Sequence, residues 1–233
     1  MKNVLIILFL YVVFAFGQLQ WAQRARVKDH TKFYSEVIQE TIYELERRGF
    51  SSLTLLNITH NVNLQIYNFL VNGTVNYTNG FLVSIQKIDV TGIGQSVNTL
   101  TIDGVPTARA TVSGTLNFRE AKLGYDVTFH AVNGEVHKYT GEYTHTLISW
   151  PISIQQNITT KEITVSTWLG SLSGGLHTMV YRPANSTTEV ISREFSPHHN
   201  LAGVRTWENV IVPIILDVIK NKVPFPVICY NYC

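Results

Sequence analysis

Residues 170–175, Gly-Ser-Leu-Ser-Gly-Gly, raise the possibility of a hydrolase. A nucleophile elbow places its serine midway between glycines two positions away on either side. Here the midpoint between Gly170 and Gly174 is Leu172, so the stretch reads as a hairpin turn. Gly92-Ile93-Gly94 lacks the third glycine and the following helix that would cradle a phosphate, and reads as a loop. His198-His199, after Ser196-Pro197 in a loop, offers two imidazoles to a metal, but neither an HExxH motif nor a set of carboxylates accompanies them. His137 and His145 fall on the inward face of one strand. Each reads as a core or pocket histidine making one hydrogen bond, or as a pH sensor. No carboxylate pair stands where general acid–base work would be natural. The sequence therefore predicts no catalytic residues, no metal and no cofactor.

The remaining chemistry is that of the secretory pathway. Five Asn-x-Ser/Thr signals occur, at Asn57, Asn72, Asn76, Asn157 and Asn185, and mark backbone expected to face solvent if glycosylated. The two cysteines, Cys229 and Cys233, are expected to pair as a staple on a tail of residues 227–233, with a mixed or intermolecular bridge as the alternative. Residues 1–17 read as a signal peptide: Lys2, an apolar run over 4–16, then Ala15-Phe16-Gly17 as a cleavage site. That run of 13 residues is shorter than the roughly 20 a spanning helix needs, and no stable membrane insertion is expected. The expected location is outside the cell. The whole chain of 233 residues carries 18 basic and 16 acidic side chains, a balance that gives no case for nucleic acid as the partner. With 45% hydrophobic residues the chain can bury a sizeable core.

The elements that must position these residues follow from periodicity. After an arm over residues 18–29, residues 31–48 repeat Tyr34, Val37, Ile38, Thr41, Ile42 and Leu45 at helical spacing, with Asp29 or Thr31 as cap. From 52 to about 195 the period becomes two. Around the sequons Val71, Val75 and Tyr77 oppose Asn72, Thr74 and Asn76. Further along, Val112, Gly114, Leu116 and Phe118 oppose Thr111, Ser113, Thr115 and Asn117. Leu123, Tyr125, Val127 and Phe129, and then Tyr139, Gly141, Tyr143, His145 and Leu147, continue the apolar face. Turns are expected at Asp103-Gly104, Asn133-Gly134 and Gly174-Gly175. Long strands wet on one face predict an antiparallel sheet. Residues 206–222 return to a helix, capped by Thr206 and kinked or restarted by Pro213, with Val210, Ile211, Ile214, Ile215, Val218 and Ile219 on its apolar face. The expected fold is α+β: N-terminal and C-terminal amphipathic helices wrapped by a long, strongly curved antiparallel sheet, as one domain over residues 30–226.

That layout, with the pair "GTLNFREAKLGYDV" and the closing stretch "HHNLAGVRTWENVIVPIILDVIKNKVPF", resembles a single wrap of the tubular lipid-binding superfamily. It is similar to the arthropod branch, which holds the takeout and haemolymph juvenile-hormone-binding proteins and the group-7 mite allergens. The cysteine pair that the hormone binders carry near the N-terminus is missing here, which leans toward the mite-allergen side. The resemblance implies a lipid or other hydrophobic small molecule held between helices and sheet by a monomer or weak dimer. Leu116, Phe118, Tyr125, Val127, Phe129, Tyr139, Tyr143, Ile211, Ile215 and Ile219 are the expected ligand wall, with the tips of Tyr139 and Tyr143 orienting a head group. The alternative is a secreted interaction or immune-recognition protein whose interior is filled by its own side chains.

Overall fold

The computed structural model describes residues 25–66, 68–102, 105–174 and 179–230. The leader expected over residues 1–17, residues 18–24 of the arm, the Asp103-Gly104 turn, Gly175 of the expected Gly174-Gly175 turn and Cys233 lie outside them. Among the described residues the sheet is antiparallel and runs in the order β2 (Ile58–Ile66), β3 (Phe69–Ile102), β4 (Val105–Ala131), β5 (Val136–Asn157). The far edge of β5 is covered in pieces between Thr140 and Gln156 by three short strands, β6 (Ile163–Thr167), β7 (Ser171–Gly174) and β8 (Val180–Arg182). Covering a long edge in pieces leaves little of it open to another chain. The seven strands do not close into a barrel. A separate ribbon pairs β1 (Arg26–Val27) with β9 (Ile228–Cys229) and ties the tail to the start of the domain.

Two long helices lie on the apolar face. Helix α1 (His30–Arg47) buries Phe33, Tyr34, Val37, Ile38, Thr41 and Leu45. Helix α4 (Glu208–Asn221) buries Ile211, Ile214, Ile215, Val218 and Ile219, and packs on α1 and β6. Lys222 locks the pair by bonding Glu40 at 2.8 Å and Glu44 at 3.0 Å. The hydrogen bond from Arg47, and then that from Lys222, pulls the Glu44 carboxyl down to about 2.

Several expectations change. Gly170–Gly174 is not a hairpin turn: Ser171–Gly174 is strand β7, paired with β5, because its alternating serines suit an edge. Gly92-Ile93-Gly94 is a β-bulge inside β3, where the register slips between Thr91 and Gly94 and Gly92 takes φ 64°. The period of two does not last to residue 195. Helix α2 (Ser186–Glu194) interrupts it, started by Asn185, whose side chain accepts from the Thr188 N–H. His198 and His199 lie in a 3-10 turn (Pro197–Asn200), followed by the short α3 (Leu201–Arg205). Thr206 ends α3 and does not cap α4, and α4 runs unbroken through Pro213. Asp29 precedes α1 in a left-handed conformation with no capping bond.

The alternation within the long strands holds, with one coordinated slip. On β4 the buried residues step from Phe118 to Ala121, across Glu120 at φ 51°. On the facing rungs of β5 they step from His145 to Ile148. Leu147, expected inward, is therefore only half-buried, and Ile148 and Trp150 take the interior beyond it. Asn117, expected outward, is buried on the outer face, donating to Asp89 at 2.7 Å and Thr91 at 3.1 Å.

Candidate ligand site between the helices and the sheet

All ten expected wall residues are buried in one apolar cluster. The slip at Glu120 divides their positions along β4. Leu116 and Phe118 lie on one side of it, and Tyr125, Val127 and Phe129 on the other. Ile211, Ile215 and Ile219 enter the same cluster from α4.

Leu116 stands two rungs along β4 from Gly114, on the same face. There the ring of Tyr34 lies so close that a Cβ on Gly114 would sit 2.8 Å from it. Trp150, opposite Leu116 on β5, stacks on Trp207 at 6.5 Å and 27°. Trp207 donates its indole N–H to the Thr54 carbonyl at 2.8 Å. The hydroxyl of Tyr34 and the indole nitrogen of Trp150 are buried and make no hydrogen bond among the described residues. Burial raises the Tyr34 hydroxyl pKa, so it stays a neutral donor. Such groups cost about 1–3 kcal/mol each when left unpaired, which is why they are rare in a core.

The other end is aromatic and polar. Phe195 lies against Tyr77 at 5.1 Å, Tyr143 at 5.2 Å and His199 at 5.3 Å. Tyr77 shares a hydrogen bond with the Tyr181 hydroxyl at 2.7 Å. The Tyr125 hydroxyl donates to Asn200 Oδ1 at 2.7 Å, and Asn200 Nδ2 lies 3.0 Å from His145 Nε2. His60 stacks on Tyr77 and on His199, and neither of its ring nitrogens has a partner among the described residues. Burial lowers all three histidines, His145 to about 4.

Tyr139, expected to orient a head group, already receives a hydrogen bond from Asn185 Nδ2 at 3.2 Å. Of the ten wall residues, Val127 and Tyr139 border a cleft of about 470 Å³ that is otherwise polar, with Thr78, Asp126, Lys138 and Arg182. His145 is wholly buried as expected, whereas His137 is half-exposed beside Glu135. Sequence reasoning missed two site residues: Tyr34, whose periodicity says only that it faces inward, and Trp150, which the period of two points outward until the slip in β4 and β5 turns it in. It also missed the joining of His60, His145, His199 and Asn200, which lie on three separate elements. Among the described residues no group of three His, Cys, Asp or Glu could hold a metal, and no helix is long and apolar enough to cross a membrane.

No protein-family model matches the chain. No curated protein matches it either. The chain is similar to solved structures. One of them is described as the crystal structure of lipopolysaccharide binding protein, and it shares 12% identity at a TM-score of 0.45. The match covers 85% of this chain and 40% of that one, so the chain spans two-fifths of that protein's length.

Proposed function

We propose that the protein binds a hydrophobic or amphipathic small molecule, such as a lipid, in the layer between α1, α4 and the sheet, and carries it outside the cell. The observation that carries this reading is the pair of fully buried, unpartnered donors, Tyr34 Oη and Trp150 Nε1, set in an otherwise apolar wall. An acceptor on a ligand would satisfy them while its apolar body replaced side-chain contacts. At about 25 cal/mol per Å², burying some 300 Å² of apolar ligand surface contributes on the order of 7 kcal/mol before association costs. Membership of the takeout-like and mite-allergen-like branch, a signal peptide and glycans on the exposed sequons belong to the same reading.

The test is a paired measurement on Tyr34→Phe and Trp150→Phe. Removing the unpartnered Tyr34 hydroxyl should raise the melting temperature of the ligand-free protein or leave it unchanged, whereas Trp150→Phe also leaves space beside Trp207 and should lower it. Each should weaken binding of a fluorescent fatty-acid probe about tenfold, the scale of one hydrogen bond. Mass spectrometry of organic extracts from natively purified protein would identify the cargo. Wild type that takes up no probe and yields no lipid sinks the reading.

A second reading has its own observation. Phe69, Leu70, Val132 and Val136 are all exposed, at the neighbouring β2–β3 and β4–β5 hairpins. The Val132 N–H bonds the Asn72 carbonyl at 3.1 Å, which holds the two hairpins side by side. Such a patch suits a protein or microbial surface. Leu70→Glu with Val136→Glu would abolish that binding and leave probe uptake intact.

A further inference from the structure

The segment from Phe195 to Asn200 packs over the aromatic end of the interior, and neutral histidines hold both its own turn and one of its bonds to the sheet. Phe195 fills the space between Tyr77 and Tyr143. The Ser196 N–H donates to His199 Nδ1 at 3.1 Å, which makes Nδ1 the acceptor and leaves the proton on Nε2. Asn200 accepts the Tyr125 hydroxyl on Oδ1, so its Nδ2 donates to His145 Nε2, and His145 carries its proton on Nδ1. In both histidines the one nitrogen free to take a second proton is already accepting a bond from this segment. Protonation of His145 therefore removes the bond that ties Asn200 to β5, and protonation of His199 breaks the bond that caps the segment's own 3-10 turn. His60 adds a third element, because its ring is stacked on His199 with centroids 5.3 Å apart and 17° between planes, so two imidazolium rings there would repel.

The surroundings offer little to hold such charge. Facing these rings are the aromatic rings of Tyr77 from β3 and Tyr143 from β5, the Tyr125 hydroxyl of β4 through Asn200, and the Ser173 backbone from β7. His198 lies on the segment itself and acts against protonation of His199. Glu194, at the end of α2, is the one carboxylate that favours a charged His60. Its influence is smaller than the opposing effects of burial and of His199.

We propose that residues 195–200 are an acid-released plug: neutral His60, His145 and His199 seat it, and their protonation unseats it and opens the aromatic end of the interior. This rests on the carrier reading only for what passes through the opening. A closed form at neutral pH and an open one in mildly acidic surroundings would load or unload a hydrophobic ligand by compartment.

Hydrogen–deuterium exchange with mass spectrometry tests it at pH 7 and pH 5, with rates corrected for intrinsic chemistry and compared with peptides from β4 and β5. The expected result is at least a tenfold gain in corrected exchange over residues 186–205 at pH 5, with β4 and β5 unchanged. The gain should be clearly smaller in His60→Phe/His199→Phe, which keeps the stacked rings but leaves only His145 to take a proton. Equal protection at both pH values, or the same gain in the double variant, overturns the plug. If the double variant does not fold, the ring resonances of the wild type decide. Histidine titration that tracks the gain in exchange supports the plug, and titration with no such gain overturns it. A fatty-acid probe in the same samples separates the two readings. Opening without probe uptake at either pH leaves the plug standing and removes the carrier function.

Discussion

His145 shows how much one side chain can couple. Fully buried and bonded to Asn200, it is neutral in the folded chain, with its pKa lowered by burial from 6.5 to about 4. The unfolded chain takes up a proton below pH 6.5 that the folded chain refuses until about 4. Stability is thus fully present above 6.5 and is lost as the pH falls through that window. From this residue the loss is about 3 kcal/mol. Urea titrations between pH 7 and pH 4 should show the loss. His145→Gln, which can still accept from Asn200, should flatten the profile. Gly114 makes the opposite kind of point, through space alone. A methyl there meets the Tyr34 ring at 2.8 Å on a fully buried rung, so Gly114→Ala should cost about 1–3 kcal/mol by overpacking. A melting temperature equal to that of wild type would mean that Tyr34 can move away. Neither effect was legible in the sequence. His145 and Gly114 could be placed on the inward face of a strand, but what they meet there comes from β7, the 3-10 turn and α1.

Among the elements, helix α2 is the one that periodicity passed over. It has only nine residues, and its apolar positions are few enough to be read as a strand. Its start is set by a capping box in which Asn185 and Thr188 each bond the other's backbone. The same Asn185 is a glycosylation signal, and its Nδ2, the atom that would carry the glycan, donates to the Tyr139 hydroxyl. Two substitutions separate these roles. Asn185→Ala should cost about 1 kcal/mol by loss of the cap. Thr187→Ala, which destroys the signal and spares the cap, should leave stability unchanged. It should also leave the glycan mass of protein made in a secretory host unchanged, because Asn185 is engaged in the fold. By contrast Asn72 is exposed at the wet face of β3, and Thr74→Ala should remove one glycan. A mass loss in Thr187→Ala would show that the glycan is added before the cap forms. The long strands were read well because they are wet on one face only. The slip at Glu120 and Ile148 was not, since a bulge moves a strand's phase without changing its composition.

At the scale of the whole domain, β9, which holds Cys229, pairs with β1 and joins the last described strand to the first. A bridge from Cys229 to Cys233 would close a very small loop. Its loss should therefore leave the melting temperature nearly unchanged, because so short a loop constrains the unfolded chain little. A covalent dimer on a non-reducing gel would show that the partner is another chain. The sequence by itself determined the class of the fold: two amphipathic helices, a sheet with one apolar face, and the ten inward residues on which they meet. It could do so because one-sided burial imprints a period of 3.6 or 2 on the residues of each element. The tertiary structure alone decided that Tyr34 and Trp150 bring unpartnered donors into that layer. It alone decided that the Tyr139 hydroxyl is taken by Asn185, and that β2, β5 and the 3-10 turn bring three histidines to one plug. These are pairings between residues far apart in the chain, and periodicity records which way a side chain faces but not what it finds there.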